Sequence, residues 1–286
     1  MAVTSSTPPV PFRLGRPSAL GGLAVIPLMC SDDPILEYVG LDEAVAGGLS
    51  ISEVDAGGSV NSLLVQNPLD VSVLMFEGEE LVGAKQNRVL DRTVLVPGEA
   101  SVRIAVNCVE RGRWAYRTEQ FVPAPRAAHP MARRAARVGG QGAVWSEIAS
   151  KAARLDAFSP TEAAEEMYTQ RAATLNEYLA AFPRVTGQCG SIVCVAGRVV
   201  CLDFVSRSDV YAGLHAKLLR GYALDALEHP VPGPVPKEFI ELLCKRIVKA
   251  DRRDGELRGR GFIGTELVAE NETIAMTVLP GGGTVG

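Results

Sequence analysis

The chain has 286 residues, of which 47% are hydrophobic and 22% are charged, a composition that excludes a wholly disordered protein. Its net charge of −4 argues against a dedicated nucleic-acid-binding protein, since such proteins usually carry a basic excess. No stretch reaches the roughly 18 consecutive apolar residues of a membrane helix, so no spanning segment is predicted.

The first 19 residues are rich in Ser, Thr and Pro and have no helical period, which predicts a loose N-terminal tail. The apolar run that follows ends at Cys30 and resembles a short signal core. Met29 and Pro27, however, do not suit a cleavage site before that cysteine. We therefore expect a first core strand here and, by default, a cytoplasmic protein.

Residues 20–122 are predicted to be mainly β. Short apolar runs alternate with turns rich in Pro, Gly, Asn and Asp, and Val102, Ile104 and Val106 follow the two-residue period of a strand. Such spacing favours an antiparallel, sandwich-like or barrel-like sheet. The sequence LDEAVA before Gly47 predicts one short helix.

Residues 123–140 contain four arginines and no acidic residue. Their Pro, Gly and Ala content favours a solvated basic connecting strap, and an anion-binding strap is the alternative.

Residues 141–280 are predicted to form helices and β-hairpins. The run from Ser159 to Glu162 is typical of a helix start, residues 191–204 predict a hairpin, and residues 208–228 and 237–249 are amphipathic. Because strands and helices are segregated along the chain, we expect a single α+β domain over residues 20–280.

The six cysteines form no CxxC pair, which argues against zinc-ribbon and thioredoxin-type sites and favours reduced, mostly buried thiols. Three scattered histidines do not suggest a metal site either. The sequence assigns no metal ligand and identifies no cofactor, and it leaves the oligomeric state open.

Lys85, Gln86, Asn87 and Arg88 form an unbroken polar row between apolar strands. Neighbouring residues of a strand point to opposite faces, so such a row is expected either to be exposed or to line a polar cleft. An exposed edge with ordinary surface salt bridges is the simpler alternative. Together with Glu80 as a general acid or base, the row could bind a sugar, a phosphate or a nucleotide.

Glu77 and Glu79 lie just upstream of the row with Glu80. Three nearby carboxylates could hold Mg²⁺ or Ca²⁺, although a solvated turn explains them equally simply.

A second cluster consists of Cys108, Glu110, Arg113 and Trp114. Carboxylate, guanidinium and indole together could hold a planar or sugar ligand by stacking and bidentate hydrogen bonds. Cys108 could act as a nucleophile only if nearby cations lowered its pKa; otherwise it is a thiol at the end of a strand and Trp114 anchors the core. A weaker candidate is Gln188, in a Gly-rich stretch without a dinucleotide fingerprint.

The strings EELVGAKQNR (79–88) and NCVERGRW (107–114), with GYALDAL (221–227), resemble the bacterial family of the ADP-ribosylglycohydrolase and rhodanese-phosphatase associated protein domain. The resemblance covers residues 20 to 280. It implies a role close to ADP-ribose and NAD metabolism, without an established reaction. Carried over by motif, it implies the following site residues: Glu80 and Cys108 as catalytic candidates, and Lys85, Gln86, Asn87, Arg88, Glu110, Arg113, Trp114 and Gln188 as ligand-binding candidates.

Two functions from different classes follow. The first is binding or processing of an ADP-ribose-like, nucleotide-derived or phosphorylated sugar ligand. The second is a non-catalytic binding or scaffold protein that regulates a partner enzyme. Neither involves nucleic acid or a membrane.

Overall fold

The structure is a computed structural model that describes residues 10–30 and 34–281. Within these ranges the chain forms eighteen strands and six helices. The strands are β1 Phe12–Leu14, β2 Ser18–Leu20, β3 Leu23–Cys30, β4 Tyr38–Gly40, β5 Ser50–Glu53, β6 Ser62–Asn67, β7 Ser72–Met75, β8 Glu79–Gly83, β9 Arg88–Leu90, β10 Val94–Val96, β11 Ala100–Cys108, β12 Phe121–Ala127, β13 Gln188–Val195, β14 Arg198–Val205, β15 Asp251–Arg253, β16 Glu256–Gly259, β17 Phe262–Ala269 and β18 Glu272–Pro280. The helices are α1 Leu41–Ala46, α2 Pro130–Arg154, α3 Glu165–Gln170, α4 Ala172–Ala181, α5 Ser208–Ala226 and α6 Lys237–Val248.

The strands form three sheets. A nine-stranded sheet has the order β1-β3-β13-β14-β18-β17-β16-β15, with β2 also paired to β3. A three-stranded sheet has the order β10-β7-β4, and a six-stranded sheet has the order β12-β8-β9-β11-β6-β5. Only β4 and β7 pair in parallel within the described residues. The predicted α+β class, with a mainly β N-terminal part, is confirmed.

The nine-stranded sheet is covered on both faces. Ile192 and Cys194 of β13 pack into a cluster with α6, whereas Val193 and Val195 pack into a cluster with α2, α4 and α5. Successive strand residues point to opposite faces, so all of β13 is buried. The predicted hairpin is confirmed as β13 and β14.

A third apolar cluster fills the N-terminal sheets. Its members come from α1 and from the strands β5 to β12. This cluster supports β8, β9 and β11, the strands that carry Glu80, Arg88 and Cys108 and lead into the turns that hold other predicted site residues.

The segment before β3 is more ordered than the sequence predicts. Phe12 lies opposite Cys30 in the pairing of β1 with β3, and β2 pairs with β3 through Ser18 to Leu20. The prediction of a loose tail is therefore wrong for these two strands, because the exposed edge of β3 supplies hydrogen-bond partners. Residues 1–9 lie outside the described residues.

The arginine-rich stretch is not a solvated strap. Its first part belongs to β12, which pairs with β8, and the rest begins α2 at Pro130. Proline suits the first turn of a helix because it lacks an N–H group that would remain unpaired there. The helix is interrupted at Gly140, where φ is 63°.

Two of the arginines are buried because each meets a buried carboxylate. Arg126 Nε lies 2.6 Å from Glu80 Oε2. Arg133 donates from both terminal nitrogens to Asp203, at 2.7 Å each. The partners come from distant parts of the chain, so the local composition alone gave the wrong prediction.

The predicted helices over α5 and α6 are confirmed, and residues 251–259 form a hairpin that was not predicted. The helix expected from Ser159 begins only at Glu165. The Ser159 hydroxyl instead accepts a hydrogen bond from the backbone N–H of Ala163, at 2.8 Å. None of the helices in residues 10–30 and 34–281 is long and apolar enough to cross a membrane.

The packing of α5 on β12 requires a glycine. A β-carbon placed on Gly221 would lie 2.8 Å from the carbonyl oxygen of Ala127. We expect Gly221→Ala to lower the free energy of unfolding by about 1–3 kcal/mol, as overpacking does. Gly213→Ala in the same helix meets nothing within 4 Å and is expected to raise it by about 0.5–1 kcal/mol. Urea denaturation measures both, and equal effects of the two substitutions would contradict this packing.

Candidate functional site

The polar row lies at the turn between β8 and β9 rather than along one strand. Lys85, Gln86 and Asn87 occupy the turn, and Arg88 begins β9. None of the four residues is more than 8% exposed. The alternative of an exposed edge is therefore wrong. A turn directs its side chains differently from a strand, so all four can be buried beside hydrogen-bond partners.

Asn87, Glu110 and Arg113 form the centre of the cluster. Arg113 Nη2 donates to Glu110 Oε2 at 2.7 Å and to Asn87 Oδ1 at 3.2 Å. The backbone N–H of Asn87 donates to the same carboxylate at 3.1 Å, and Thr161 donates to its other oxygen at 3.0 Å. Burial opposes ionisation of Glu110, but these hydrogen bonds outweigh it and lower the pKa of the carboxyl. Glu110 is therefore a fixed anion that holds the turn in place.

Lys85 joins the cluster to the surface. Its Nζ donates to the carbonyl oxygens of Ala56 and Gly57 at 2.7 and 2.6 Å. The same ammonium lies 5.3 Å from the ring centroid of Trp114 and 5.1 Å from that of Tyr116. Both distances are within the range of a cation–π contact.

Trp114 and Tyr116 are 48% and 54% exposed. Arg88 lies behind the indole, with its Cζ 5.7 Å from the Trp114 centroid. Its Nη1 donates to Gln86 at 3.0 Å. We call the set of Lys85, Arg88, Trp114 and Tyr116 the cation–aromatic surface. Two cations contact two aromatic rings there, and about half of the surface of each aromatic residue stays exposed to solvent.

Glu80 lies behind this surface. Its carboxylate is 1% exposed and pairs with Arg126, which also lies 3.4 Å from Glu165. Burial raises the pKa of Glu80, although the positive charge of Arg126 opposes the shift. The link to the turn is indirect, since Asn87 Nδ2 donates to Glu165 at 3.3 Å.

Cys108 is buried within the cluster. Its Sγ accepts a hydrogen bond from the backbone N–H of Glu110 at 3.4 Å. Burial raises the pKa of the thiol, which disfavours the thiolate that a nucleophile requires. The side-chain amide of Gln141 makes two hydrogen bonds to the backbone of Cys108. Its oxygen accepts from the N–H at 2.6 Å, and its nitrogen donates to the carbonyl oxygen at 2.8 Å.

Gln188 does not join the cluster. It lies in β13, where its amide donates to Gly190 and Ser191 at 3.0 and 3.1 Å and accepts from Val185. The structure thus brings together seven of the predicted ligand-binding residues and separates this one.

The three upstream glutamates diverge to different cations. Glu77 pairs with Arg137, at 2.5 Å, whereas Glu79 pairs with Lys217 at 2.8 Å. Glu80 pairs with Arg126. Within the described parts of the chain, no group of three His, Cys, Asp or Glu residues is arranged to hold a metal ion.

Several residues of the cluster were missed from the sequence. Glu53 of β5 lies 3.7 Å from Arg88, and Thr161 and Glu165 approach from the segment before α4. They are remote in sequence from residues 85–114 and carry no local signal. Tyr116, by contrast, follows Trp114 in the second cluster of the sequence, where it was visible but was not assigned a ligand-binding role.

A family model matches residues 11–279. It is that of ARPP-1, the ARG and Rhodanese-Phosphatase-superfamily-associated Protein domain. The chain belongs to this family. The match covers the whole cluster and confirms the resemblance inferred from residues 79–88 and 107–114. Comparisons of this ARPP-1 domain with curated proteins and with solved structures gave no match.

Proposed function

We propose that this ARPP-1 domain binds an ADP-ribose-like or other nucleotide-derived phosphorylated ligand at the cation–aromatic surface. The observation that carries the proposal is the ammonium of Lys85, which lies between two aromatic rings that are about half exposed. Exposed rings beside cations stack planar bases and attract phosphate groups. The association of the family with ARG, an ADP-ribosylglycohydrolase, supports the same ligand class.

Each part of such a ligand has a partner. The base stacks on Trp114 or Tyr116, since every base has a face that can stack on an aromatic ring. The phosphates meet Lys85, whose ammonium has three N–H groups and uses two of them on Ala56 and Gly57. Arg117 adds an exposed guanidinium that lies 3.6 Å from Glu165, and its backbone N–H donates to the carbonyl oxygen of Ala84 at 2.9 Å.

We further propose that the site binds its ligand without transforming it. Glu80 is paired with Arg126, and the pKa of Cys108 is raised by burial. A general base must reach the proton that it removes, and a thiol must ionise to attack. Neither candidate reaches the cation–aromatic surface through a described hydrogen bond.

A second candidate function is a scaffold that regulates a partner enzyme. Its support is the exposure of Trp114 and Tyr116, together with Val122 on β12, which pairs with Val82. Exposed aromatic residues are also enriched at protein interfaces. A cytoplasmic location stays a prediction in either case.

The test is the affinity for ADP-ribose of the wild type and of Trp114→Ala, measured by isothermal titration calorimetry. Base–aromatic stacking contributes about 1–3 kcal/mol, so the substitution is expected to weaken binding by about 5- to 150-fold. Phe158→Ala removes another exposed aromatic side chain and is expected to leave the affinity unchanged.

The two candidate functions predict different results. Equal affinities of the wild type and Trp114→Ala for ADP-ribose, or no binding to either, would contradict the ligand proposal. Capture of an ADP-ribosylglycohydrolase by the wild type, lost in Trp114→Ala and insensitive to ADP-ribose, would support the scaffold instead.

A further inference from the structure

A separate cleft of about 850 Å³ lies on the other half of the molecule. The turn between β13 and β14, the helix α2, the end of α5 and the start of α6 form its walls. Its volume is within the range of about 300–1,000 Å³ that is usual for small-molecule sites. None of its lining residues belongs to the cation–aromatic surface.

The cleft contains a buried charged pair. Lys151 of α2 is 2% exposed and Asp225 of α5 is 5% exposed, and their Nζ and Oδ1 atoms lie 2.6 Å apart. Lys151 also pairs with Glu228. Lys151 is the partner of Oδ1, whereas Asp225 Oδ2 has no hydrogen-bond donor among the described residues. Such an acceptor is costly to bury, and a hydroxyl group of a bound molecule would satisfy it.

The lining carries an excess of positive charge. Four cationic residues, Arg134, Lys151, Arg154 and Arg198, stand against two carboxylates, Asp225 and Glu228. Arg198 is exposed, and its side chain makes no hydrogen bond or ion pair to the residues that the structure describes. A free guanidinium at a cleft that carries net positive charge is suited to a phosphate group.

The walls add apolar surface. Met131, Val200 and Phe239 line the cleft and are not fully buried. Apolar side chains pack against the C–H faces of a sugar ring, and a few polar groups then fix its orientation.

We propose that this cleft is a second ligand site, for a small phosphorylated sugar compound. Arg198 binds the phosphate, Asp225 accepts hydrogen bonds from the sugar hydroxyls, and Phe239 and Val200 pack against the ring. Arg154, which already pairs with Glu147 and Glu228, contributes positive charge only. The site is independent of the proposed ADP-ribose site.

The test uses ribose 5-phosphate and inorganic phosphate as probes, with backbone amide NMR shifts of residues 196–198 as the readout. Ribose 5-phosphate is expected to shift these amides and to bind at least tenfold more tightly than inorganic phosphate. Arg198→Ala is expected to weaken its affinity by about tenfold or more, the loss of a charge-assisted hydrogen bond.

Two substitutions on α2 test whether the amide shifts require an open cleft or arise from any change in this helix. Met131→Trp fills the cleft from α2 and is expected to abolish the shifts. Val138→Trp changes an exposed residue of the same helix outside the cleft and is expected to retain them. Met131→Trp and Val138→Trp are expected to unfold at the same temperature as the wild type. If Arg198→Ala proves unstable, these two variants still test the site.

The proposal is overturned by any of three results. These are the absence of shifts in the wild type up to about 10 mM ribose 5-phosphate, shifts that persist in Met131→Trp, and equal affinities for the sugar phosphate and inorganic phosphate. Trp114→Ala must retain the shifts at residues 196–198, because the two sites share no residue. The ADP-ribose proposal therefore fails or stands independently of this one.

Discussion

Asp203→Asn is expected to lower the free energy of unfolding by about 3–5 kcal/mol. Asp203 is fully buried in β14 and accepts two hydrogen bonds from Arg133 at 2.7 Å each. Tyr222 of α5 and Thr277 of β18 also donate to it, at 2.5 and 2.9 Å. The substitution removes the anion that both terminal nitrogens of Arg133 contact and leaves only Glu77, 3.9 Å from its Nε. A buried charge that loses its main partner is strongly destabilising.

The free energies of unfolding of the wild type and of Asp203→Asn should also depend differently on pH. Burial opposes ionisation of Asp203, but the charge and hydrogen bonds of Arg133 outweigh it and lower the pKa of the carboxyl. The contribution of the pair is therefore present at neutral pH and is lost as the pH falls through that lowered pKa. In Asp203→Asn this part of the acid sensitivity is expected to disappear.

Urea denaturation at neutral pH measures the loss, and Asp209→Asn is the control. Asp209 pairs with Arg207 at the surface, 2.5 Å away. Exposed pairs contribute about 0–1 kcal/mol. A loss below about 1 kcal/mol for Asp203→Asn would contradict the role assigned to this buried pair.

Arg126→Met is expected to cost a similar amount, about 3–5 kcal/mol near pH 7. The substitution leaves the carboxylate of Glu80 buried without the cation that lies 2.6 Å away. The loss should shrink towards acidic pH. Burial raises the pKa of Glu80 in the folded protein, so the penalty is absent below the unfolded pKa of about 4.3 and grows as the pH rises through the folded pKa.

Arg220→Met is the matched control for this substitution. Arg220 donates to the carbonyl of Pro125 at 3.2 Å and has no ion pair to a carboxylate within residues 34–281. Its replacement is expected to cost about 1 kcal/mol or less at every pH. A pH-independent loss for Arg126→Met would show that Glu80 does not depend on Arg126. If the double variant Arg126→Met with Glu80→Leu regains the free energy of unfolding that Arg126→Met loses, the result would support the pairing.

The periodic parts of the fold could be predicted from the sequence. Residues 208–226 and 237–248 form helices where the apolar period is helical, and residues 188–205 form a hairpin around a two-residue turn. These signals are local, since side-chain direction repeats every 3.6 residues in a helix and every two in a strand.

The arginine-rich segment could not be predicted in the same way. Its composition resembles that of a solvated linker, yet Arg126 and Arg133 pair with Glu80 and Asp203, 46 and 70 residues away. Burial of a charge depends on its partner, and the partner is fixed only by the tertiary fold.

The candidate site was predicted in part. The motif placed Lys85, Arg88, Glu110 and Trp114 together, and the structure brings them together. The expectation that the polar row borders open space was wrong in detail. The row is buried, because Glu110 and other groups distant in sequence supply partners for its polar atoms. The exposed part of the site is aromatic, at Trp114 and Tyr116.

The most direct test of the central claim is the NMR signal of the Trp114 indole N–H during titration with ADP-ribose. The chain has only two tryptophans, and Trp145, which lies under Arg111 at 5.4 Å, serves as the internal reference. Binding at the cation–aromatic surface predicts a saturable shift of the Trp114 signal while that of Trp145 stays nearly constant. An unchanged Trp114 signal at saturating ADP-ribose, or equal shifts of both indoles, would contradict it.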